Sequence, residues 1–444
     1  MKIIIGGAGE VGTHLSKLLS QEDQNIVLMD VNDERLNISN SLEIMTVHGS
    51  PTSINDLKMS GIKNADMFIA VTPEESTNMT ACMLAHGLGA KRTIARIDND
   101  EYLHPQNMEF FAKLGVDSLI CPETLVAEEI INTLKHPWTR QWWEMANGKL
   151  VLLGVKVREN APVVNKYLKD INDERRIYHI VAVKRDKETI IPHGSDQILP
   201  GDMVYVTVTQ QNIDEIKTLA GKAESQIRNI IIMGGSRIAL RMCERIPGHI
   251  RVKILEMDKR KSYRLAEKVN SNVMIINGDG RDTDLLIQEN IQKCDAFIAL
   301  TDNSETNILA CVAAKNFGVP KTIAEVENLD YIQMAEKLDI GSIINKKLIA
   351  SSHIYRFLLQ ADVSTVKCLA FANAEVAELV ARLESKITRQ PVKNLHLPKD
   401  ITLGGRIRDG KAEIINGDTL IEAGDHVLVF CLNTAMRKIE DYFN

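Results

Sequence analysis

The sequence predicts an α/β protein built from two doubly wound parallel-sheet lobes, each followed by a small α+β module. Three observations predict it: short apolar runs alternating with helical patterns, an internal duplication of that alternation, and a glycine-rich turn directly after the first run. In residues 1–135 the apolar runs fall at 2–5, 26–30, 44–47, 67–72, 93–97 and 118–120, with helical patterns such as 9–19 and 75–88 between them. That alternation reads as βαβ units and a parallel sheet. Residues 150–222 instead show period-two strands, with Val204, Val206 and Val208 on one face after the turn Pro200-Gly201-Asp202, and a closing helix over 212–219.

The duplication covers both parts. Ile3-Ile4-Ile5-Gly6-Gly7-Ala8-Gly9-Glu10-Val11-Gly12 returns, weakened, as Ile230-Ile231-Ile232-Met233-Gly234-Gly235-Ser236-Arg237-Ile238-Ala239. Asp66-Met67-Phe68-Ile69-Ala70-Val71-Thr72, Thr77-Asn78 and Ala81-Cys82 return at one constant offset as Asp295-Ala296-Phe297-Ile298-Ala299-Leu300-Thr301, Thr306-Asn307 and Ala310-Cys311. The stretch from Gly194 through Gly201-Asp202-Met203-Val204 corresponds to that from Gly417 through Gly424-Asp425-His426-Val427. The expected domains are therefore lobe 1 at 1–135, module 1 at 136–222, lobe 2 at 228–360 and module 2 at 361–444, with a linker at 222–226 between the halves.

Composition narrows the function classes. A chain that is 44% hydrophobic can bury several cores, and a formal net charge of −6 gives no reason to expect nucleic acid. The seven cysteines are scattered and form no CxxC pair, so neither a disulfide framework nor a zinc cluster is expected, and the compartment reads as reducing and cytosolic. There is no leader-like N-terminus and no run of 18 apolar residues, so no bilayer span is expected.

Gly7-x-Gly9-x-x-Gly12 follows a strand and opens a helix, which is the context of a Rossmann-like phosphate turn. Gly7 permits the tight turn, Gly9 lets the backbone approach a pyrophosphate, and Gly12 lets helix and strand pack closely. Amides at that helix N-terminus would face phosphate without a lysine. Asp30 ends the next strand, where a carboxylate accepts from ribose hydroxyls and repels a 2′-phosphate; NAD(H) or an adenine nucleotide is favoured over NADP(H). In the second half Ser236 and Ala239 stand where Gly9 and Gly12 stand in the first, while Glu256 keeps the strand-end acid, so occupancy there stays open.

These strings, together with Asp66-x5-Thr72-x4-Thr77-Asn78 and Ile94-Ala95-Arg96-Ile97, resemble the regulator-of-potassium-conductance (RCK) nucleotide-binding domain. The duplication, with a small module after each copy, is similar to the Trk potassium-uptake regulatory subunits over essentially the whole chain. The resemblance implies a cytoplasmic protein, held at the inner face of the membrane by its partner, that binds NAD(H), or ATP or ADP, and controls a separate potassium-translocating membrane subunit. It also implies a homo-oligomer. Carried onto this chain, it puts Gly7, Ala8, Gly9, Glu10 and Val11 on the pyrophosphate, Asp30 on the ribose, Thr72 and Pro73 beside the adenosine, and Arg96 on phosphate. Glu325 replaces that arginine in the second half, which is unfavourable beside phosphate.

The alternative reading is an NAD-dependent oxidoreductase; a third is a non-binding scaffold. A dehydrogenase needs an acid or base over the nicotinamide and a substrate-holding domain. Neither is evident: the eleven histidines show no metal spacing, His48 reads as a polar strand-end residue, and Cys82 and Cys311 read as core thiols. No catalytic or metal-ligating residue is assigned. Trp138, Trp142 and Trp143 crowd the junction after lobe 1 and read either as a crossover helix packed on the lobe or as a partner hot spot.

Overall fold

The computed structural model describes all residues except 21–23, 38–43, 146–147, 172–176, 187, 224–225, 359–362, 370–373 and 433–435. Part of the expected linker and the expected boundary at 360/361 thus lie outside the described residues. The chain forms two compact units, one of Met1–Val126 with Lys346–Phe357, the other of Ala127–Asn345 with Leu358–Asn444.

In the first unit the chain runs through β1 (Lys2–Gly6), α1 (Glu10–Ser20), β2 (Asn25–Asp30), α2 (Asp33–Asn37), β3 (Met45–His48), α3 (Ile54–Met59), β4 (Met67–Ala70), α4 (Glu75–Gly87), β5 (Thr93–Arg96), α5 (Pro105–Lys113), β6 (Ser118–Ile120) and the start of α6 (Pro122–Lys135). The strands pair in parallel in the order β3-β2-β1-β4-β5-β6. Ile3, Ile4 and Ile5 are fully buried, which is why this strand is apolar on both faces. All six apolar runs expected here are strands, shifted by a residue or two at their ends. The order reverses between β1 and β4, opening a crevice beyond the strands' carboxyl ends.

The second unit begins with the antiparallel module: β7 (Gln141–Met145), β8 (Leu150–Lys156), α7 (Leu168–Ile171), β9 (Tyr178–Arg185), β10 (Glu188–Ile190), β11 (Met203–Thr209) and α8 (Ile213–Leu219), with sheet order β10-β9-β11-β8-β7. It continues as β12 (Asn229–Met233), α9 (Arg237–Arg245), β13 (Arg251–Glu256), α10 (Lys259–Ala266), β14 (Val273–Asn277), α11 (Thr283–Gln288), β15 (Ala296–Ala299), α12 (Ser304–Asn316), β16 (Lys321–Glu325), α13 (Asp330–Lys337) and β17 (Ser342–Ile344). Its parallel sheet, β14-β13-β12-β15-β16-β17, repeats the first strand for strand. The next helix, α14 (Lys346–Tyr355), belongs to the first unit, where it packs on α1. The last module is β18 (Val363–Leu369), β19 (Ala374–Val380), β20 (Ile401–Arg408), β21 (Lys411–Ile414), β22 (His426–Leu432) and α15 (Met436–Phe443).

The two antiparallel sheets pack face to face. Val204, Val206 and Val208 do share one face, against Ile216 and Ala220 near the helical end of their own module. The opposite face carries Leu150, Leu152 and Tyr205, which meet Val376, Leu428 and Phe430 of the second sheet. The repeated aspartates fix both strand entries: buried Asp202 takes Arg185 Nε and Nη2 at 2.9 and 2.8 Å, and buried Asp425 takes Arg408 Nε and Nη2, both at 2.7 Å. The expectation of a crossover helix for the tryptophans is corrected in part. α6 ends at Lys135, Trp138 follows it, and Trp142 and Trp143 form β7. Alternation along that strand sends Trp142 into its module's core and Trp143 to the sheet–sheet interface. Cys82 and Cys311 are fully buried, and burial pushes the thiol of Cys311 up to about 12.

Candidate nucleotide-binding site

The crevice of the first lobe is built in one row. Register aligns Gly6 with Met29 and Ala70, and Ala70 with Ala95. The next residue on each strand is therefore Gly7, Asp30, Val71 or Arg96, with Thr72 and the exposed Pro73 following β4.

The three glycines are held to glycine by different causes. Gly7 has φ +116°, and a Cβ there would stand 3.0 Å from the Thr72 amide nitrogen. At Gly12 a Cβ would stand 1.9 Å from the carbonyl oxygen of Gly7, so close packing of helix on turn forbids it. A Cβ on Gly9 would meet nothing within 4 Å. Protein packing thus accounts for Gly7 and Gly12, while the bare side of Gly9 faces open space. That is the arrangement in which the backbone is left clear for a ligand.

The amides of the turn divide similarly. Gly7 donates to the Met29 carbonyl at 2.8 Å, and Ala8 donates to Asp30 Oδ2 at 2.7 Å. Both are spent within the protein, so Ala8 does not offer its N–H to a phosphate. The first helical bond is Thr13 N–H to Gly9 O, which leaves the amides of Glu10, Val11 and Gly12 without intrahelical acceptors. Asp30 is itself engaged: its Oδ1 accepts from Asn32 N–H at 2.9 Å, and Arg35 Nη1 stands 3.9 Å from Oδ2. A carboxylate has about four lone-pair sites, so acceptor capacity remains beyond its turn-closing role.

Arg96 is partly buried at the end of β5, 3.5 Å from Glu123 and 3.8 Å from Asp98 through Nη2. Its Nε is buried with no hydrogen-bond partner. Such a donor is costly to leave unpaired.

Two residues of this site escaped the sequence reading of roles. Asn78, fully buried on α4, accepts from Thr72 N–H and Oγ1 at 2.8 and 2.7 Å and donates from Nδ2 to the carbonyls of Thr72 and Arg96, both at 2.9 Å. It therefore ties the ends of β4 and β5 together. Asn307 does the same to Thr301 and Glu325. The paired Thr-x5-Asn spacing was the available signal. Lys347 had none: it comes from α14 and stands 3.1 Å from Glu10 at the start of α1. Half-buried His14 on α1 is pushed down to about 4 by desolvation and then by Lys17 and Lys347.

The second lobe keeps the frame and alters the mouth. Glu256 Oε2 accepts from Gly235 N–H at 3.0 Å, and Lys261 Nζ lies 2.7 Å from the same oxygen. Burial opposes that charge, but the bonds from Lys261, Asp258 and Gly235 outweigh it and hold the carboxyl low. Ser236 caps α9 through the Ala239 amide at 3.3 Å, and Glu325 is buried where Arg96 stands in the first lobe.

Comparison with known proteins follows this duplication. The TrkA-N domain model matches residues 3–122 and 230–346, and the TrkA-C domain model matches 152–221 and 376–444. The chain belongs to the TrkA family. The TrkA-N matches fall on the two parallel-sheet lobes and the TrkA-C matches on the two antiparallel modules. The Trk system potassium uptake protein TrkA of Halomonas elongata is 30% identical over 448 residues, covering 99% of this chain and 97% of the relative. That of Vibrio alginolyticus is 31% identical, covering 98% and 96%. TrkA homolog 1 of Methanosarcina mazei is 28% identical with full coverage of both chains. These names are those of potassium uptake proteins, not of oxidoreductases. Among solved structures, the GsuK RCK domain aligns with a TM-score of 0.60 at 16% identity, covering 99% of this chain and 94% of that one. The GsuK channel bound to NAD aligns with a TM-score of 0.59 at 15% identity, covering 100% and 78%. The chain thus shares the RCK fold. Among its described residues no helix is long and apolar enough to cross a membrane.

Proposed function

We propose that this chain is a nucleotide-sensing regulatory subunit of potassium uptake, binding NAD(H), or ATP or ADP, in the crevice of its first lobe. The observation that carries the reading is the pairing of a turn glycine whose Cβ position is open with a buried, unpartnered Arg96 Nε on the same row of strand ends. The names of its relatives supply potassium uptake, and the NAD-bound GsuK channel is a neighbour of the same fold.

In this reading the amides of Glu10 and Val11 at the start of α1 face the pyrophosphate, with Gly9 giving the clearance, and Arg96 adds a charge-assisted donor. Asp30 accepts from ribose with the lone pairs it has not given to Ala8 and Asn32. Thr72 and Pro73 border the adenosine side, Thr72 by its shape, because its amide, hydroxyl and carbonyl are all bonded to Asn78. The bound nucleotide supplies charge and shape. Regulation requires that it bind more tightly to one of two conformations. The partner is a membrane potassium-translocating subunit, the chain assembles as a homo-oligomer, and it sits in the cytoplasm at the inner membrane face through that partner. The four-segment division of the chain is retained as part of the proposal.

Titration of NAD+, NADH, ATP and ADP into the purified chain tests this. Saturable binding that Arg96→Gln weakens at least tenfold is expected. Equal affinity in that variant, or no binding to the full chain, would remove the assignment.

A further inference from the structure

The second unit holds a cavity of about 170 Å³ that the nucleotide reading does not use. It lies among β7, β8, β9 and β11 of the first module and α13 with β17 of the second lobe, and its walls include Gln141, Lys156, Lys184, Tyr205 and Asp339. The charge around Asp339 is unbalanced. Its carboxylate meets Arg140 Nη2 at 2.6 Å, Lys315 Nζ at 2.9 Å, Lys156 Nζ at 3.4 Å and Arg158 Nη2 at 3.9 Å. One acid therefore stands among four cations. Lys222 adds a fifth, pushed down to about 8 by burial and by the neighbouring Arg158 and Arg140. Among the other lining residues Lys184 and Glu336 pair one to one at 2.6 Å, and the exposed Lys337 and Asp186 bring one charge of each sign. The excess of positive charge survives.

Two polar atoms in the same walls are unspent. Tyr205 is 1% exposed and its hydroxyl has no hydrogen-bond partner; neither has the buried Oε1 of Gln141. An unpartnered buried phenol beside surplus cations is costly unless something supplies the acceptor. Met203, Ile332 and Ile343 add apolar surface to the walls. The volume suits a small ligand and falls below the usual range for drug-sized or cofactor pockets.

We propose that this cavity binds a small phosphate-bearing anion, inorganic phosphate or a small phosphate monoester, with Arg140 and Lys156 of its walls on its charge, Arg158 adding positive charge from beside Asp339, and the Tyr205 hydroxyl donating to one of its oxygens. The site is separate from the crevice of the first lobe and does not rest on what that crevice binds.

The test is calorimetry on the full chain carrying Gly9→Asp, with inorganic phosphate, ribose 5-phosphate and sulfate at fixed ionic strength. Saturable phosphate binding is expected, weakened at least tenfold by Lys156→Gln with Arg158→Gln. Both side chains reach solvent, at 29% and 63%, so this variant folds. Tighter binding of ribose 5-phosphate assigns the apolar surface to the attached group, whereas equal affinity assigns the free ion. As a second readout, Asp339→Asn is expected to recover its melting temperature in millimolar phosphate but not in chloride. No saturable binding, affinity unchanged in the double variant, or equal binding of sulfate as an adventitious ion only, would overturn the proposal.

Discussion

The carboxylate of Asp30 accepts the amide of Ala8 at 2.7 Å, and Glu256 repeats that bond to Gly235 at 3.0 Å in the second lobe. The strand-end acid is thus first a clamp on the glycine turn, and its use by a ribose comes second. Asp30→Ala leaves a buried N–H unsatisfied and should destabilise the chain by about 1–3 kcal/mol in urea titrations even without nucleotide. If nucleotide affinity fell while stability stayed unchanged, the clamp would carry no energy.

The glycines separate packing from binding. Gly12→Ala forces a Cβ onto the Gly7 carbonyl and should cost about 1–3 kcal/mol, measured by thermal melting. Gly9→Ala should keep stability within about 1 kcal/mol, because nothing in the protein meets the added methyl. It should still weaken NADH binding severalfold.

Asn78→Asp keeps the acceptor for Thr72 but loses both donors, stranding the carbonyls of Thr72 and Arg96 beside a buried charge. A loss of about 3 kcal/mol or more is expected on denaturation. Asn307→Asp should match it in the second lobe, and a milder effect in both would contradict the strand-tying role.

These asparagines show how much was legible. The βαβ order, the duplication and the glycine turn follow from local pattern, because strand periodicity and turn chemistry are written within a few residues. Thr72 and Asn78 were visible as a repeated spacing, but a bond joining the ends of two strands depends on where α4 packs. Lys347 beside Glu10, and Arg140 beside Asp339, are brought together from positions far apart in the chain and leave no local mark. The tryptophans misled because aromatic residues after a helix read as more helix, whereas a two-residue period sends Trp142 and Trp143 to opposite faces of β7.

Acid should loosen the first unit through two of its histidines. His14 and His353 are both pushed from 6.5 down to about 4, by burial first and then by lysine or arginine charge. Below pH 6.5 the unfolded chain takes up protons that the folded chain refuses, so stability is full above 6.5 and is lost as pH falls toward 4. His14 alone contributes at most about 3 kcal/mol to that loss. Urea midpoints compared at pH 7 and pH 4.5 should drop in the parent and drop less in His14→Gln.

The open side of Gly9 is where a diphosphate is expected to sit. Calorimetric titration of NADH into the parent chain and into Gly9→Asp, with circular dichroism to show both are folded, tests it most directly. Saturable binding to the parent and none to the variant is expected. Matching affinities in two folded proteins would contradict it.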